Sequence, residues 1–352
     1  MTKHLILFLG LAAVVSANEE ATRANNLAAL YHRQGRYAQA EALYRQAIGV
    51  WKKTAGPDEV ALAQGLSNLG SVVHLQGRYD EAESLLLRSI ALLERLSGPS
   101  DPRLAPVLNN LGELYRSQAR YVEAEPLLLR ALEIQRRNPD ADAAALNNLA
   151  SLYRNQGLYN RAEPLYLQTL EVRRAQLGPE HPRVAQVSNN LATLYQAQGR
   201  FDEAETFYQQ ALSIWERSLG PDHPYIAAVL NNLATLYTTQ QRYLKADPLY
   251  RRALAIQEKT LGPDHPEVAT ALHNLAGLRA ELGYYREAKP LYERALAIRE
   301  KALDHDHPLV AGTLDQMALL LRAQRKEARA AAASRRASAI RAKALRESDA
   351  SQ

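Results

Sequence analysis

The chain has 352 residues, 47% of them hydrophobic and 23% charged, and contains no Cys. This balance excludes collagen-like and wholly disordered classes, and the missing Cys excludes disulfide staples, thiolate metal sites and cysteine nucleophiles. The formal charge of +5 is local, because residues 322–352 hold nine Lys/Arg against three acids and everything before them nets −1.

The first segment, residues 1–17, reads as an address. Lys3 and His4 precede an apolar run from Leu5 to Val15, and Val15-Ser16-Ala17 places small residues where a signal peptidase cuts. The run is too short to cross about 30 Å of hydrocarbon, which takes roughly 20 residues. The pattern predicts a secretory signal cleaved after Ala17 and an exported, periplasmic or secreted chain. No Cys follows the cut, so no lipid anchor is expected.

From residue 18 the chain repeats. Asn26, Asn68, Asn110, Asn148, Asn190, Asn232, Asn274 and Gln316 follow one another at 42 residues, except for one interval of 38 where Asn138-Pro139-Asp140 replaces a longer loop. Repeats start near 20, 62, 104, 142, 184, 226, 268 and 310. Each Asn is followed by Leu or Met and a small residue, then usually Tyr, a Gly-Arg-Tyr turn and Ala. That Ala column is complete: Ala40, Ala82, Ala124, Ala162, Ala204, Ala246, Ala288 and Ala330.

Within a unit the apolar residues recur at helical spacing twice. Val187, Leu191, Leu194 and Tyr195 mark a first helix that Gly199 ends; Ala204, Tyr208, Ala211, Leu212 and Trp215 mark a second that Gly220-Pro221 ends. Pro126, Pro164, Pro248 and Pro290 are read as marking helix starts, where backbone donors are unpaired. The small columns permit close helix approach, and 16 of 18 Tyr fall in three columns of the repeat, read as core packing. The expected fold is all-α, a solenoid of about eight antiparallel helix pairs over residues 18–321, closed by a basic helical cap from 322 to 352.

Leu191, Ala192, Tyr195, Gly199, Phe201, Ala204, Tyr208 and Ala211 together resemble the tetratricopeptide repeat. The 42-residue period with "LNNLATLY", "EAEPLY" and "LGPDHP" resembles its kinesin-light-chain subtype. The resemblance implies a right-handed superhelix whose first helices line a concave groove that holds extended peptides. The heptad segment that would join a motor chain is missing, so motor transport is not implied.

Asn disfavours helix interiors, so its recurrence in mid-helix asks for a reason. A carboxamide matches the C=O and N–H of an extended peptide, and amides set roughly 8–10 Å apart would meet every third residue of one. The peptide-binding candidates are therefore Asn26, Asn68, Asn109, Asn110, Asn147, Asn148, Asn189, Asn190, Asn231, Asn232 and Asn274. The competing role for one Asn of each pair is a bond across to the neighbouring repeat. Six residues on, His32, His74, Arg116 and Arg154 border the same surface and favour an acidic segment, with Glu113 opposing them locally.

The remaining signals are weaker. His181, His223, His265 and His307 share one loop position, but residues one repeat apart cannot converge on one ion, so loop and helix-cap roles are expected and no metal or cofactor. The Arg-rich end is expected to be a solvated cap. The alternative role for it is contact with an anionic membrane surface, and a nucleic-acid partner is not expected. No phosphate-loop, dinucleotide, zinc-protease or serine-hydrolase motif occurs. The expected function is a non-catalytic scaffold binding extended peptides. The alternative is a spacer or self-assembling envelope protein stacked through its ends.

Overall fold

The computed structural model describes residues 2–53, 59–137, 143–302 and 305–350, with side chains described from residue 16 to 343 within them. The shortened loop at Asn138 lies outside the described residues. The elements are helices throughout, and they fall into two compact units that divide between Pro179 and Glu180.

The first unit stacks four antiparallel pairs: α1 (Thr2–Arg33) with α2 (Tyr37–Lys53), α3 (Glu59–Leu75) with α4 (Tyr79–Ser97), α5 (Leu104–Ser117) with α6 (Tyr121–Arg136), and α7 (Ala144–Asn155) with α8 (Tyr159–Leu177). The second stacks α9 (Pro182–Ala197) with α10 (Phe201–Leu219), α11 (Pro224–Thr239) with α12 (Tyr243–Leu261), α13 (Pro266–Glu281) with α14 (Tyr285–Ala302), and α15 (Pro308–Ala323) with α16 (Glu327–Ala350). Each unit is an all-α solenoid. Inside each, the backbone of an odd-numbered helix also packs close to the next odd-numbered one, whereas among the described residues the even-numbered helices stand farther apart and meet through long side chains such as Arg45 with Glu81 and Arg130 with Glu94. The odd helices therefore line the inner face of each stack.

Small columns set the packing distance. All eight residues of the Ala column are fully buried. Tyr44, Tyr166, Tyr208, Tyr250 and Tyr292 lie buried opposite Ala28, Ala150, Ala192, Ala234 and Ala276. In the two pairs where Leu86 and Leu128 replace that Tyr, the facing residue is Gly70 or Gly112. A Cβ on Gly112 would stand 2.6 Å from Leu128 Cδ2, and one on Gly70 2.9 Å from Leu86 Cγ. A flat ring leaves room for a methyl where a branched side chain does not.

The hairpin turns end the odd helices with a left-handed residue. Gly199 has φ 75°, and Arg200 N–H donates to Tyr195 O at 2.9 Å, the closing bond of a Schellman turn. Ala119, Gln241 and Arg325 take the same conformation, with φ of 58–60°, without being Gly.

One expectation fails. Pro126, Pro164, Pro248 and Pro290 do not mark helix starts: each is the sixth residue of its helix, past the unpaired donors. The carbonyls they leave unbonded belong to Val122, Asn160, Leu244 and Arg286, all exposed. Water takes the place of the lost N–H, so proline is tolerated on that face.

The basic end is more than an appendage. α16 is the second helix of the eighth pair, burying Ala330, Ala337 and Ile340, the last two against Val310, Ala311 and Leu314. Three of its cations are tied down by pairs: Arg336 with Glu300 at 2.6 Å, Lys343 with Asp306 at 2.5 Å, and Arg341 with Asp315.

Candidate functional site: the inner helix faces

All of the candidate residues sit on odd helices. The first-position amides Asn109, Asn147 and Asn231 are buried, while Asn25 and Asn189 are half-buried. The second-position amides Asn68, Asn110, Asn148, Asn190, Asn232 and Asn274 are half-buried, and Asn26 on the first helix is exposed.

The two positions join into a ladder. Asn68 Nδ2 donates to Asn25 Oδ1 at 3.3 Å, Asn110 Nδ2 to Ser67 Oγ at 3.2 Å, and Asn232 Nδ2 to Asn189 Oδ1 at 3.1 Å. The cross-repeat bond weighed from the sequence thus forms at these junctions. It uses one of the two N–H donors of the second amide and leaves its Oδ1 and other N–H unengaged by the ladder. Asn147 Nδ2 instead donates to its neighbour Asn148 Oδ1 at 3.3 Å. At Asn109, only 4% exposed, both ends of the amide lack a partner, and so does Oδ1 of Asn231.

Beside the ladder runs a second polar line. Ser151, Thr193 and Thr235 each bond the carbonyl four residues back and meet the hydroxyl of Tyr166, Tyr208 or Tyr250 on the paired helix, at 2.8, 3.2 and 2.9 Å. Tyr208 also donates to Gln196 Oε1 at 2.9 Å. On α5, Glu113 stands in this line and pairs with Arg116, with Nε–Oε2 at 2.8 Å. Arg154 meets Asn155 Oδ1 at 3.2 Å and has no carboxylate partner among the described residues. His74 Nε2 lies 3.0 Å from Ser117 Oγ, whose hydroxyl donates to Leu114 O, so the imidazole donates here. Burial lowers the pKa of His74 and of His32, and each ring packs near the Tyr that opens its paired helix. Of the two arginine candidates, Arg154 is the one whose charge no carboxylate of the described residues neutralises.

The repeated loop histidines act as helix caps. Nδ1 of His181, His223, His265 and His307 accepts the N–H of the residue two along at 3.1–3.2 Å, and Pro follows at the first helical position. Among the described residues no three His, Asp or Glu side chains are grouped to hold a metal ion.

A third set of residues escaped the sequence reading. Tyr115 OH donates to Glu83 Oε1 at 2.7 Å, Arg120 Nη1 reaches Glu83 Oε2 at 2.8 Å, and the Arg120 guanidinium lies 3.9 Å over the Tyr115 ring. Glu125 with Tyr153 and Arg161, and Glu205 with Tyr237 and Arg242, repeat the arrangement. This clasp ties the even helix of one pair to the turn of the next. At Asp247 the roles change places: Arg279 supplies the cation from the Tyr position and Tyr284 the ring from the Arg position. The signal was present as Glu, Tyr and Arg columns, but their partners lie 28–32 and 36–37 residues apart.

Two stacks of paired helices, with amide-lined inner faces and clasped junctions, define an α-solenoid interaction scaffold. Family models described as tetratricopeptide repeat match residues 19–95, 61–137, 142–214, 183–259, 225–301 and 267–343. The chain belongs to the tetratricopeptide repeat family. It is similar to the structure of BtubC (BKLC) from P. vanneervenii, at 26% identity over 64% of this chain and 90% of that one, with a TM-score of 0.54. It is also similar to a Podosopora anserina putative kinesin light chain with nearly identical TPR-like repeats, at 29% identity over 59% of this chain and 99% of that one, TM-score 0.50. The Cut9–Hcn1 structure of the APC/C shares the fold at 15% identity, over 89% of this chain and 51% of that one, TM-score 0.63. A search of curated protein sequences finds no match.

Proposed function

We propose that the inner faces bind extended peptide segments of partner proteins and that the chain assembles partners without catalysing a reaction. The observation that carries this reading is the set of half-buried carboxamides on α3, α5 and α7 in the first unit and on α11 in the second, backed by Asn109, whose amide is buried with neither end bonded. A buried polar group without a partner costs about 1–3 kcal/mol. The C=O and N–H of an extended backbone supply what such an amide lacks, and the second-position amides offer the same pair of functions nearer the surface. Arg154, without a carboxylate of its own, favours a peptide with an acidic residue at that point.

The test is a peptide selected from a random library on the purified protein and titrated calorimetrically against variants. The Asn110→Ala, Asn148→Ala, Asn190→Ala triple variant is expected to lose at least about tenfold in affinity, roughly 1.4 kcal/mol. Unchanged affinity with an unchanged circular dichroism spectrum would refute the groove.

We infer further that residues up to Ala17 form an export signal. Among the described side chains, which start at residue 16, the first fully buried one is Ala21, at 1% exposure. Amino-terminal sequencing of the protein recovered from its source cells tests this; a chain that still begins at Met1 would rule it out.

A further inference from the structure

Junctions within each stack repeat one electrostatic arrangement. Glu41, Glu83, Glu125, Glu205 and Asp247 each stand on an even helix and receive a cation from the next pair: Arg78, Arg120, Arg161, Arg242 and Arg279. The junction between the seventh and eighth pairs breaks it. Lys289 takes the acidic position, Leu321 the aromatic one and Lys326 the place of the cation. Lys326 Nζ donates to Gln324 Oε1 at 2.7 Å on its own turn, and Lys289 pairs with Glu293 at 3.2 Å on its own helix. Among the described residues no carboxylate meets Lys326.

A cleft of about 630 Å³ opens beside it, walled by Tyr284, Tyr285, Arg286, Glu287, Gln324 and Lys326. Tyr284 is half exposed. Arg286 has no carboxylate partner among the described residues, and the one acid in the wall, Glu287, lies 3.4 Å from Arg279 Nε. Two lysines in positions that elsewhere hold opposite charges leave this edge positive.

We propose that this cleft is a carboxylate-binding site at which an acidic segment of a partner protein docks. The partner gives Lys326 the counter-ion that every other junction described within a stack supplies from the chain itself. A lysine is a point charge on a flexible stem, so it accepts a carboxylate from many directions and suits a run of Asp/Glu. The exposed face of Tyr284 covers the stem of one acidic side chain. The site lies on the turn edge of the second unit and does not depend on peptide binding along the inner face.

The probe is a blocked, fluorescently labelled hexaglutamate peptide, read by anisotropy at low and raised salt, with hexaglutamine as control. Hexaglutamate binds the full chain, more weakly as salt rises, and hexaglutamine does not. Lys326→Gln weakens binding about fivefold or more, equivalent to about 1 kcal/mol. Lys289→Glu, which returns an internal carboxylate, weakens it as much while raising the melting temperature, so loss of fold cannot mimic the result. Lys52→Gln, exposed on α2, leaves it unchanged. Absence of binding by the unaltered chain, or affinity unchanged from it in both Lys variants, overturns the proposal. Binding to phosphatidylglycerol vesicles that Lys326→Gln abolishes, without hexaglutamate binding, assigns the cleft to a lipid surface and also overturns it.

Discussion

At the residue scale, three turns carry strain that their sisters avoid. Ala119, Gln241 and Arg325 hold φ near 60°, where a Cβ costs about 1–2 kcal/mol and Gly nothing. Substituting Gly in each also loosens the unfolded chain, so a net gain of about 0.5–1 kcal/mol per site is expected, measured as urea midpoint shifts at constant slope. The ladder gives the opposite sign. Asn232→Ala removes the donor to Asn189 Oδ1 and is expected to cost about 1 kcal/mol in the same assay. His273 adds a pH dependence. It stands where five other repeats have Asn, its Nδ1 is buried without a partner, and burial together with nearby Arg299 pulls its pKa down to about 4. The unfolded chain then binds a proton that the folded chain refuses. Stability present above pH 6.5 falls by about 1.4 kcal/mol per unit as pH drops toward 4, then levels. His273→Asn should remove one proton's worth of that slope between pH 6.5 and 4; an unchanged slope would mean the ring is already solvated.

At the element scale, the clasp decides how one pair meets the next. Tyr237→Phe removes the hydroxyl bond to Glu205 and should cost about 1 kcal/mol, whereas the solvent-screened Arg242–Glu205 pair should couple more weakly than that in a double-mutant cycle. Arg120 lowers the pKa of Glu83, so the contribution of that clasp is present above the ordinary carboxylate range and is lost as pH falls through it. Much of the helical architecture was legible beforehand, because a 3.6-residue apolar rhythm repeated eight times leaves little choice of element. The clasp was not, because Tyr115, Arg120 and Glu83 are joined by stacking rather than by sequence proximity. Reading Tyr115 as packing captured its ring and missed its hydroxyl. The prolines were misplaced for a related reason: the periodicity shows that Pro126 belongs to a helix, but only the exposure of Val122 shows why it is tolerated in the second turn. The Asn column was visible as an anomaly. Its division between ladder and free amide depends on distances of a few tenths of an ångström that no sequence pattern encodes.

At the scale of the whole molecule, each stack is held by contacts between neighbours, so stability is a sum of local terms. The eighth pair lacks a clasp, with Lys289, Leu321 and Lys326 in its positions. Its amides in α15 and α16 should exchange with deuterium faster than those of α11 and α12, and Lys289→Glu should slow them; uniform exchange across the second unit would contradict a nearest-neighbour description. The interchange at Asp247, where Arg279 and Tyr284 trade places, has a bearing on inheritance. Excising residues 226–267 would set Glu205 opposite Arg279 and Tyr284, again an acid facing a cation and a ring. A gene built of such interchangeable 42-codon steps can gain or lose one by unequal recombination and still encode matched junctions within a stack. The number of repeats, and with it the length of partner the scaffold can span, is then free to drift between lineages while the interfaces stay the same.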